Sequence, residues 1–125
     1  MALRAGRFSQ NARLAQASNS APALKQGEKG EAVAIVQQAL VDLGFPMPNS
    51  TNGGRGLADG IFGAETLRIV RQFQSMNGLA VDGDLGRNSL ARLDDLILAQ
   101  SALKEALFSQ FSRSEFGLKT AKPVA

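Results

Sequence analysis

Cysteine, histidine, tryptophan and tyrosine are all absent from this 125-residue chain, and each absence removes a class of function. Without cysteine there is no disulfide, no thiolate nucleophile and no cysteine-based metal site. Without histidine the chain lacks the commonest general base and the commonest zinc ligand. Seven phenylalanines supply all of its aromatic character. We therefore expect no catalytic residue, no metal site and no cofactor.

Long hydrophobic runs are also missing, although 44% of the residues are hydrophobic. The uninterrupted apolar stretches are only a few residues long, so we predict no membrane-spanning segment. The first residues carry basic charge but lack the apolar stretch of about 7–15 residues found in a secretory signal. We therefore expect the chain to stay in the cytoplasm unless lysis releases it or a particle carries it.

The net charge of +3 is unevenly distributed along the chain. Residues 1–26 hold four basic residues and no acid, whereas residues 27–98 hold six basic and nine acidic residues. Residues 99–125 hold four basic and two acidic residues. The middle of the chain is thus mildly acidic, and a nucleic-acid-binding domain shows the reverse pattern. The charge distribution argues against nucleic acid as a partner.

One turn motif occurs twice, 23 residues apart. Residues 59–66 read Asp-Gly-Ile-Phe-Gly-Ala-Glu-Thr, and residues 82–89 read Asp-Gly-Asp-Leu-Gly-Arg-Asn-Ser. In each copy, an Asp that can bond to the backbone two residues on and a Gly that tolerates positive φ precede a large apolar residue. We call these stretches the first corner and the second corner. Two copies predict a small fold with an internal pseudo-repeat.

Apolar periodicity predicts three helices around these corners. The first should run from about Glu31 to Leu43, the second from about Ala64 to Met76, and the third should begin near Arg87 or Asn88. The predicted buried faces are Val33, Val36, Leu40 and Leu43; Leu67, Ile69, Val70, Phe73 and Met76; and Leu90, Leu93 and Ile97. No breaker follows the third pattern, so the region beyond about residue 98 is either a long overhanging helix or a fourth helix.

We divide the chain into a flexible basic leader over 1–23, a domain over 24–98, and a C-terminal helical extension and tail over 99–125. The leader is rich in Ala, Ser, Asn, Gln and Arg, which predicts a partly helical and otherwise flexible segment. An arm that docks on another protein is the alternative. Residues 45–58 form a long loop, and its Asn52-Gly53 pair is a tight-turn signal that leaves a short hairpin open.

Residues 24–97 resemble the small three-helix peptidoglycan-binding domain found attached to bacterial and phage cell-wall hydrolases. Four stretches carry the resemblance, in this order: Leu24-Lys25-x-Gly27-x-x-Gly30-x-x-Val33-x-x-Val36-Gln37-x-x-Leu40-x-x-Leu43-Gly44; Asp59-Gly60-Ile61-Phe62-Gly63-x-x-Thr66; Val70-x-x-Phe73-Gln74; and Gly78-Leu79-x-Val81-Asp82-Gly83-x-Leu85-Gly86. The resemblance implies an all-α fold, a three-helix bundle with two corners and an extra C-terminal helix or helix extension. It also implies peptidoglycan, both stem peptide and glycan, as the partner.

This sequence departs from the family pattern at three places. Ala64 stands where proline is usual at the first helical position. The second corner ends Arg87-Asn88-Ser89-Leu90, where the family usually has Pro-x-Thr followed by an aromatic residue, so a possible sugar-stacking ring is lost. The loop over 45–58 is longer than usual and could reshape or cover a groove.

The corners admit a structural interpretation. Phe62 and Leu85 would anchor the turns in the core, and Gln37 and Gln74 would tie loops to helices. Thr66 and Ser89 close the first helical turns in the same interpretation.

The functional interpretation uses the same residues. A turn ahead of a helix presents backbone N–H groups and the positive end of the helix dipole, which suits an anion such as a stem-peptide carboxylate. We therefore predict a shallow groove beside the first corner. Its predicted ligand-binding residues are Asp59, Gly60, Phe62, Gly63, Thr66, Arg68, Arg71 and Gln74.

The acidic residues near the second corner and in the third helix are weak candidates for chemistry. Asp82 and Asp84, and the pair Asp94-Asp95, lack the ligand spacing of a calcium loop, and we expect them at the solvated surface. Glycoside hydrolysis would need two carboxyl groups across a cleft. The sequence predicts a non-catalytic module that targets a partner or particle to the cell wall. The alternative is a structural subunit of a phage tail or contractile injection-type assembly that binds neighbouring proteins through 1–23 and 99–116.

Overall fold

Five helices follow one another along the described residues: α1 (Gly6–Ser9), α2 (Ala12–Asn19), α3 (Glu31–Asp42), α4 (Ala64–Met76) and α5 (Arg87–Gly117). The structure is a computed structural model that describes residues 3–19, 21–51 and 57–117, with side chains up to residue 108. Within these ranges strand pairing is limited to two isolated β-bridges, so the all-α prediction is confirmed. The Asn52-Gly53 turn signal lies outside the described residues.

The three helices predicted from periodicity are α3, α4 and α5. Helix α4 has the predicted bounds, and α3 ends at Asp42 with Leu43 as its C-cap. Gly44 follows with a φ of 98°, the left-handed conformation that ends many helices. Helix α5 continues for 31 residues without a break, so the alternative of a long overhanging helix is the correct one.

The predicted apolar faces meet in one hydrophobic core. Its members from the three helices include Val33, Val36, Leu40, Ile69, Val70, Phe73, Leu90, Leu93 and Ile97, all buried. Met76 was predicted to join them and is instead 69% exposed. It is the last residue of α4, so it follows the helical period but lies at the end of the helix. Periodicity identifies the apolar face of a helix, but it cannot show how far along that face the neighbouring helices pack.

The loop that precedes α3, residues 24–30, pairs with both corners. Leu24 and Leu85 exchange two backbone hydrogen bonds, with N···O distances of 3.0 and 2.7 Å. Lys29 and Ile61 form the second bridge, at the first corner. Because one loop contacts both turns, it fixes their positions relative to α3.

The N-terminal residues depart from the prediction more than any other segment, because they pack on the rest of the protein and do not form a flexible leader. We call residues 3–19 the N-terminal arm. Its helices α1 and α2 pack on the rest of the protein, and Phe8 and Leu14 are fully buried. Leu3, Ala5 and Ala17 belong to the same core cluster. The arm is therefore ordered by burying its few apolar side chains, which composition averages conceal.

Ion pairs join the arginines of the arm to acids of the middle of the chain. Arg7 Nη1 lies 2.8 Å from Asp42 Oδ2, and Arg13 makes a two-bond pair with Glu28 at 2.7 and 2.8 Å. The hydrogen bond to Glu28 raises the pKa of Arg13. Burial raises the pKa of Asp42, but hydrogen bonds from Arg7 and Gln38 outweigh burial and lower it. The basic N-terminal residues and the acidic middle of the chain thus form ion pairs with each other.

Asp94 is buried, so the prediction of a solvated Asp94-Asp95 pair is wrong for this residue. Its Oδ1 accepts hydrogen bonds from the backbone N–H groups of Arg4 (3.0 Å) and Ala5 (2.7 Å), which fixes the approach to α1 against α5. Its Oδ2 has no hydrogen-bond partner in the described part of the chain. Asp95 stays exposed and pairs with the Arg4 side chain at 2.6 Å. The burial follows from the arm covering this side of α5.

Replacing Asp94 with alanine should lower the free energy of unfolding by about 2 kcal/mol, because the buried N–H of Ala5 and the part-buried N–H of Arg4 lose their acceptor. Asp94→Asn keeps one acceptor oxygen and should cost less than half as much. Asp95→Ala removes only an exposed ion pair and should cost about 0.5 kcal/mol or less. Urea unfolding followed by circular dichroism measures all three. Equal losses for the two alanine variants would show that Asp94 does not hold the arm.

The C-terminal half of α5 extends past the core and exposes Leu103, Leu107 and Phe108. None of the helices in the described residues is long and apolar enough to span a bilayer.

Candidate functional site

A buried glutamine organises the first corner. Gln37 has no exposed surface, and its Nε2 donates to the backbone oxygen of Ile61 (3.0 Å), to Thr66 Oγ1 (2.9 Å) and towards Asp59 Oδ1 (3.2 Å). Its Oε1 accepts the N–H of Gly60 at 2.9 Å. One side chain therefore joins α3 to the turn and to the first turn of α4.

The second corner repeats this arrangement around Gln74, which is also buried. Its Nε2 donates to the backbone oxygen of Asp84, to Ser89 Oγ and to Asp82 Oδ1, at 2.9, 3.0 and 2.9 Å. Its Oε1 accepts the N–H of Gly83 at 2.9 Å. The pseudo-repeat predicted from the sequence thus extends to matching hydrogen bonds.

The aspartate that starts each corner completes the frame. Asp59 Oδ1 accepts the N–H of Ile61, and Asp82 Oδ1 accepts the N–H of Asp84, both at 2.9 Å. The hydrogen bonds from the Asp84 N–H and from Gln74 lower the pKa of Asp82. Both turns are therefore held from inside by a glutamine and from outside by an aspartate, and the predicted structural roles of the two glutamines are confirmed.

The structure divides the predicted ligand residues by depth. Gly60, Phe62, Thr66 and Gln74 are buried, Gly63 is half-buried, and Asp59, Arg68 and Arg71 are exposed. Three of the eight do not belong to the first corner. Gln74 builds the second corner, and Arg71 lies against it, since a Cβ on Gly83 would be 3.3 Å from Arg71 Nε. Asp59 is therefore the exposed predicted residue within the first corner, and Arg68 extends from the following helix.

The backbone N–H groups of residues 60–63 in the first corner are used within the fold. Those of Gly60 and Ile61 bond to Gln37 and Asp59, as described above. The N–H of Phe62 donates to the oxygen of Glu28 at 2.9 Å, and that of Gly63 donates to the oxygen of Ile61 at 3.0 Å. The hypothesis that the amides of this turn receive an anion is therefore wrong for residues 60–63. A ligand that contacts residues 60–63 must therefore bind to side chains.

Comparison with known families identifies this arrangement of two corners and their helices. The model of the peptidoglycan binding domain family matches residues 29–93, which include both corners and helices α3 and α4. This chain belongs to the peptidoglycan-binding domain family. The resemblance drawn from the motifs is confirmed, and the N-terminal arm lies outside the matched residues.

Solved structures of this family share the fold. The SleB N-terminal domain superposes with a TM-score of 0.52 and 32% identity, covering 62% of this chain and 94% of that domain. A peptidoglycan-binding protein from Clostridioides difficile, in complex with glutamine hydroxamate, superposes with a TM-score of 0.51 and 28% identity, covering 60% of this chain and 42% of that protein.

Two of the curated relatives match this chain over only a small part of their own length. The type VI secretion system spike protein VgrG3 of Vibrio cholerae is 33% identical over 93 residues, which are 66% of this chain and 9% of that protein. The N-acetylmuramoyl-L-alanine amidase CwlL of Bacillus licheniformis is 39% identical over 70 residues, 55% of this chain and 19% of that protein. The similarity therefore concerns the domain and does not extend to the amidase as a whole.

Glu65 is a further residue of the first corner, and the sequence reasoning missed its role. Its carboxylate accepts the backbone N–H groups of Asn49 (3.1 Å) and Ser50 (2.8 Å), which attaches the long loop to α4. Burial raises the pKa of Glu65, but the hydrogen bonds from Ser50 and Asn49 outweigh it, and the pKa is lowered. The available signal was the position of Glu65, an acidic residue in the first turn of a helix. Its partners in the long loop could not be predicted from sequence spacing.

The surface of the peptidoglycan-binding domain at the first corner is small and mixed in character. Beside exposed Asp59, Ile61 is 45% exposed and Leu57 is 88% exposed. The described residues contain no group of three or more acidic residues that could hold a metal ion. Such a surface can bind a ligand through one carboxylate, one guanidinium and apolar contacts.

Proposed function

We propose that this chain is a non-catalytic module that binds peptidoglycan at the first corner and thereby holds a partner or a particle at the cell wall. The observation that carries this proposal is the frame of Gln37, which fixes the turn so that the side chains of Asp59 and Ile61 project from a rigid base. A targeting module acts by raising the local concentration of whatever it is attached to.

The chemistry of peptidoglycan supports binding at this surface. Its sugars and peptides offer hydroxyl and amide donors, which suit the carboxylate of Asp59. Its stem peptides carry carboxylates, which suit the guanidinium of Arg68. Its methyl groups can pack against Ile61. In this proposal Gly60, Phe62, Gly63 and Thr66 position the contact surface rather than touch the ligand.

Sedimentation with purified sacculi tests the proposal. Asp59→Asn keeps an oxygen for the N–H of Ile61 but removes the charge, and it should raise the dissociation constant by about three- to tenfold. Arg68→Gln should act in the same direction. Glu105→Gln is the matched control, because it removes an exposed carboxylate on the overhanging part of α5 and should leave binding unchanged. Equal binding by Asp59→Asn and Glu105→Gln, both folded by circular dichroism, would argue against this surface.

A structural role in a larger assembly is the second candidate. It is favoured by the similarity to a type VI secretion system spike protein and by the exposed Leu103, Leu107 and Phe108 on α5. Light scattering separates the two proposals. A stable oligomer that does not sediment with sacculi would support the structural role, whereas a monomer that does sediment would support targeting.

We propose that lysis releases the chain or that a particle carries it, and that it acts at the cell wall once delivered.

A further inference from the structure

A cavity of about 460 Å³ opens beside the second corner, outside the surface assigned to the first. Its lining includes Ala23, Leu79, Asp82, Asp84, Arg87 and Asn88. The backbone pairing of Leu24 with Leu85 and the frame of Gln74 hold its walls in place. Ligand pockets are commonly of about this volume.

The two corners share a frame but carry different side chains. The position of Ile61 in the first corner is that of Asp84 in the second, and the position of Ala64 is that of Arg87. The equivalence holds in the hydrogen bonds, because the residue after each turn glycine donates its N–H to the leading aspartate. The same scaffold is thus apolar at these positions in one copy and charged in the other.

Charges of both signs line this cavity without neutralising each other. The Asp84 carboxylate makes no hydrogen bond or ion pair within the described ranges, and no ion pair there joins Arg87 to Asp82 or Asp84. Arg87 Nη2 donates to the backbone oxygen of Asn19 at 3.1 Å, which anchors the guanidinium and leaves its other N–H groups available. Asp82 uses Oδ1 in the frame, where the hydrogen bonds from the Asp84 N–H and from Gln74 lower its pKa.

We propose that this cavity binds an amino-acid group that carries both a free ammonium and a free carboxylate, the distal end of a diamino-acid residue in an uncrosslinked stem peptide. The ammonium binds between Asp82 and Asp84, and the carboxylate binds to Arg87. This inference rests on the proposed binding to peptidoglycan and names the part of the polymer that the second corner holds. Because crosslinking converts the distal amine to an amide, the site distinguishes uncrosslinked from crosslinked wall.

Titration with the free stem tripeptide L-alanyl-γ-D-glutamyl-meso-diaminopimelate, followed by ¹H–¹⁵N NMR of the full chain, tests the proposal. We expect the backbone amides of residues 82–89 to shift. The dissociation constant should rise about fivefold for Asp84→Asn, the change expected from one lost, partly exposed charged contact. Acetylation of the distal amine of the tripeptide should have at least the same effect. Glu105→Gln makes the same charge change on the overhanging part of α5, away from the second corner, and should bind like the unmodified protein.

Three results would overturn the proposal: equal affinities of Asp84→Asn and Glu105→Gln, equal affinities for the free and the acetylated tripeptide, or amide shifts confined to residues 59–66. The proposed function has a separate readout. Sedimentation with sacculi in the absence of tripeptide binding would overturn the second site and leave the targeting function standing. Failure to sediment with sacculi would overturn the targeting function.

Discussion

Replacing Gly60 with alanine is expected to lower the free energy of unfolding by about 3 kcal/mol, since two independent costs add. Gly60 has a φ of 74°, where a side chain is strained, and a Cβ placed there would lie 2.9 Å from the backbone oxygen of Gly30. That oxygen accepts the N–H of Ala34 at 3.2 Å, and the N–H of Gly30 donates to the oxygen of Gly60 at 2.9 Å. Relief of the clash would therefore disturb both the bridge and the start of α3.

Gly63→Ala is the matched control, because it makes the same change three residues later in the same motif. Gly63 has an ordinary φ of −103°, and a Cβ there would have no neighbour within 4 Å. We expect a change of less than about 0.5 kcal/mol, as for an unstrained surface substitution. Urea unfolding compares the two variants directly. Similar losses would mean that the corner does not depend on the conformation and close packing of Gly60.

The helices and corners were predictable because their signals are local. Glycine, proline and apolar spacing within a few residues determine where α3 and α4 begin and end. The pseudo-repeat was visible for the same reason. Met76 shows the limit of such signals, because its exposure depends on which other helices reach the end of α4.

The N-terminal arm was not predictable, because its partners are far away in sequence. Asp94 accepts from backbone groups 89 and 90 residues away, and no spacing rule links such positions. The segregation of charge was an indirect signal, since a basic end and an acidic middle can attract each other. From the sequence, this segregation argues only against nucleic acid as a partner, whereas in the structure Arg7 and Arg13 form ion pairs with Asp42 and Glu28.

The sequence predicted which residues form the first corner, but it could not predict how deeply each of them is buried. The motif correctly brings Asp59, Gly60, Phe62 and Thr66 to one turn. Which of them faces water depends on Gln37, which accepts the amide of Gly60 and donates to Thr66 from the neighbouring helix. Hydrogen bonds within the fold, one of them to Gln37, also use the amides of residues 60–63, so these groups do not hold an anion.

Gln37→Leu is expected to have the largest effect on stability, a loss of about 4 kcal/mol. Leucine fits an apolar environment, but it leaves the buried N–H of Gly60 without its acceptor. The oxygen of Ile61 loses the donor that Gln37 supplies and keeps the N–H of Gly63 and a longer contact with Thr66. Each buried polar group left unpaired costs about 1–3 kcal/mol. Thr66 Oγ1 and Asp59 Oδ1 also lose a donor, although Asp59 is exposed and can turn to water.

Gln38→Leu tests whether this loss comes from the position and not from the substitution. Gln38 is the next residue of α3, is half-buried and makes one exposed hydrogen bond, to Asp42 at 3.1 Å. Its replacement should cost less than about 1 kcal/mol. Gln37→Leu should also weaken sedimentation with sacculi at temperatures where it remains folded, because the first corner loses its inner support while Asp59 itself is unchanged. A Gln37→Leu protein as stable as Gln38→Leu would mean that the loop over 24–30 and the apolar anchor Phe62 suffice to hold the corner, and that the glutamine frame is not the feature that makes this surface rigid.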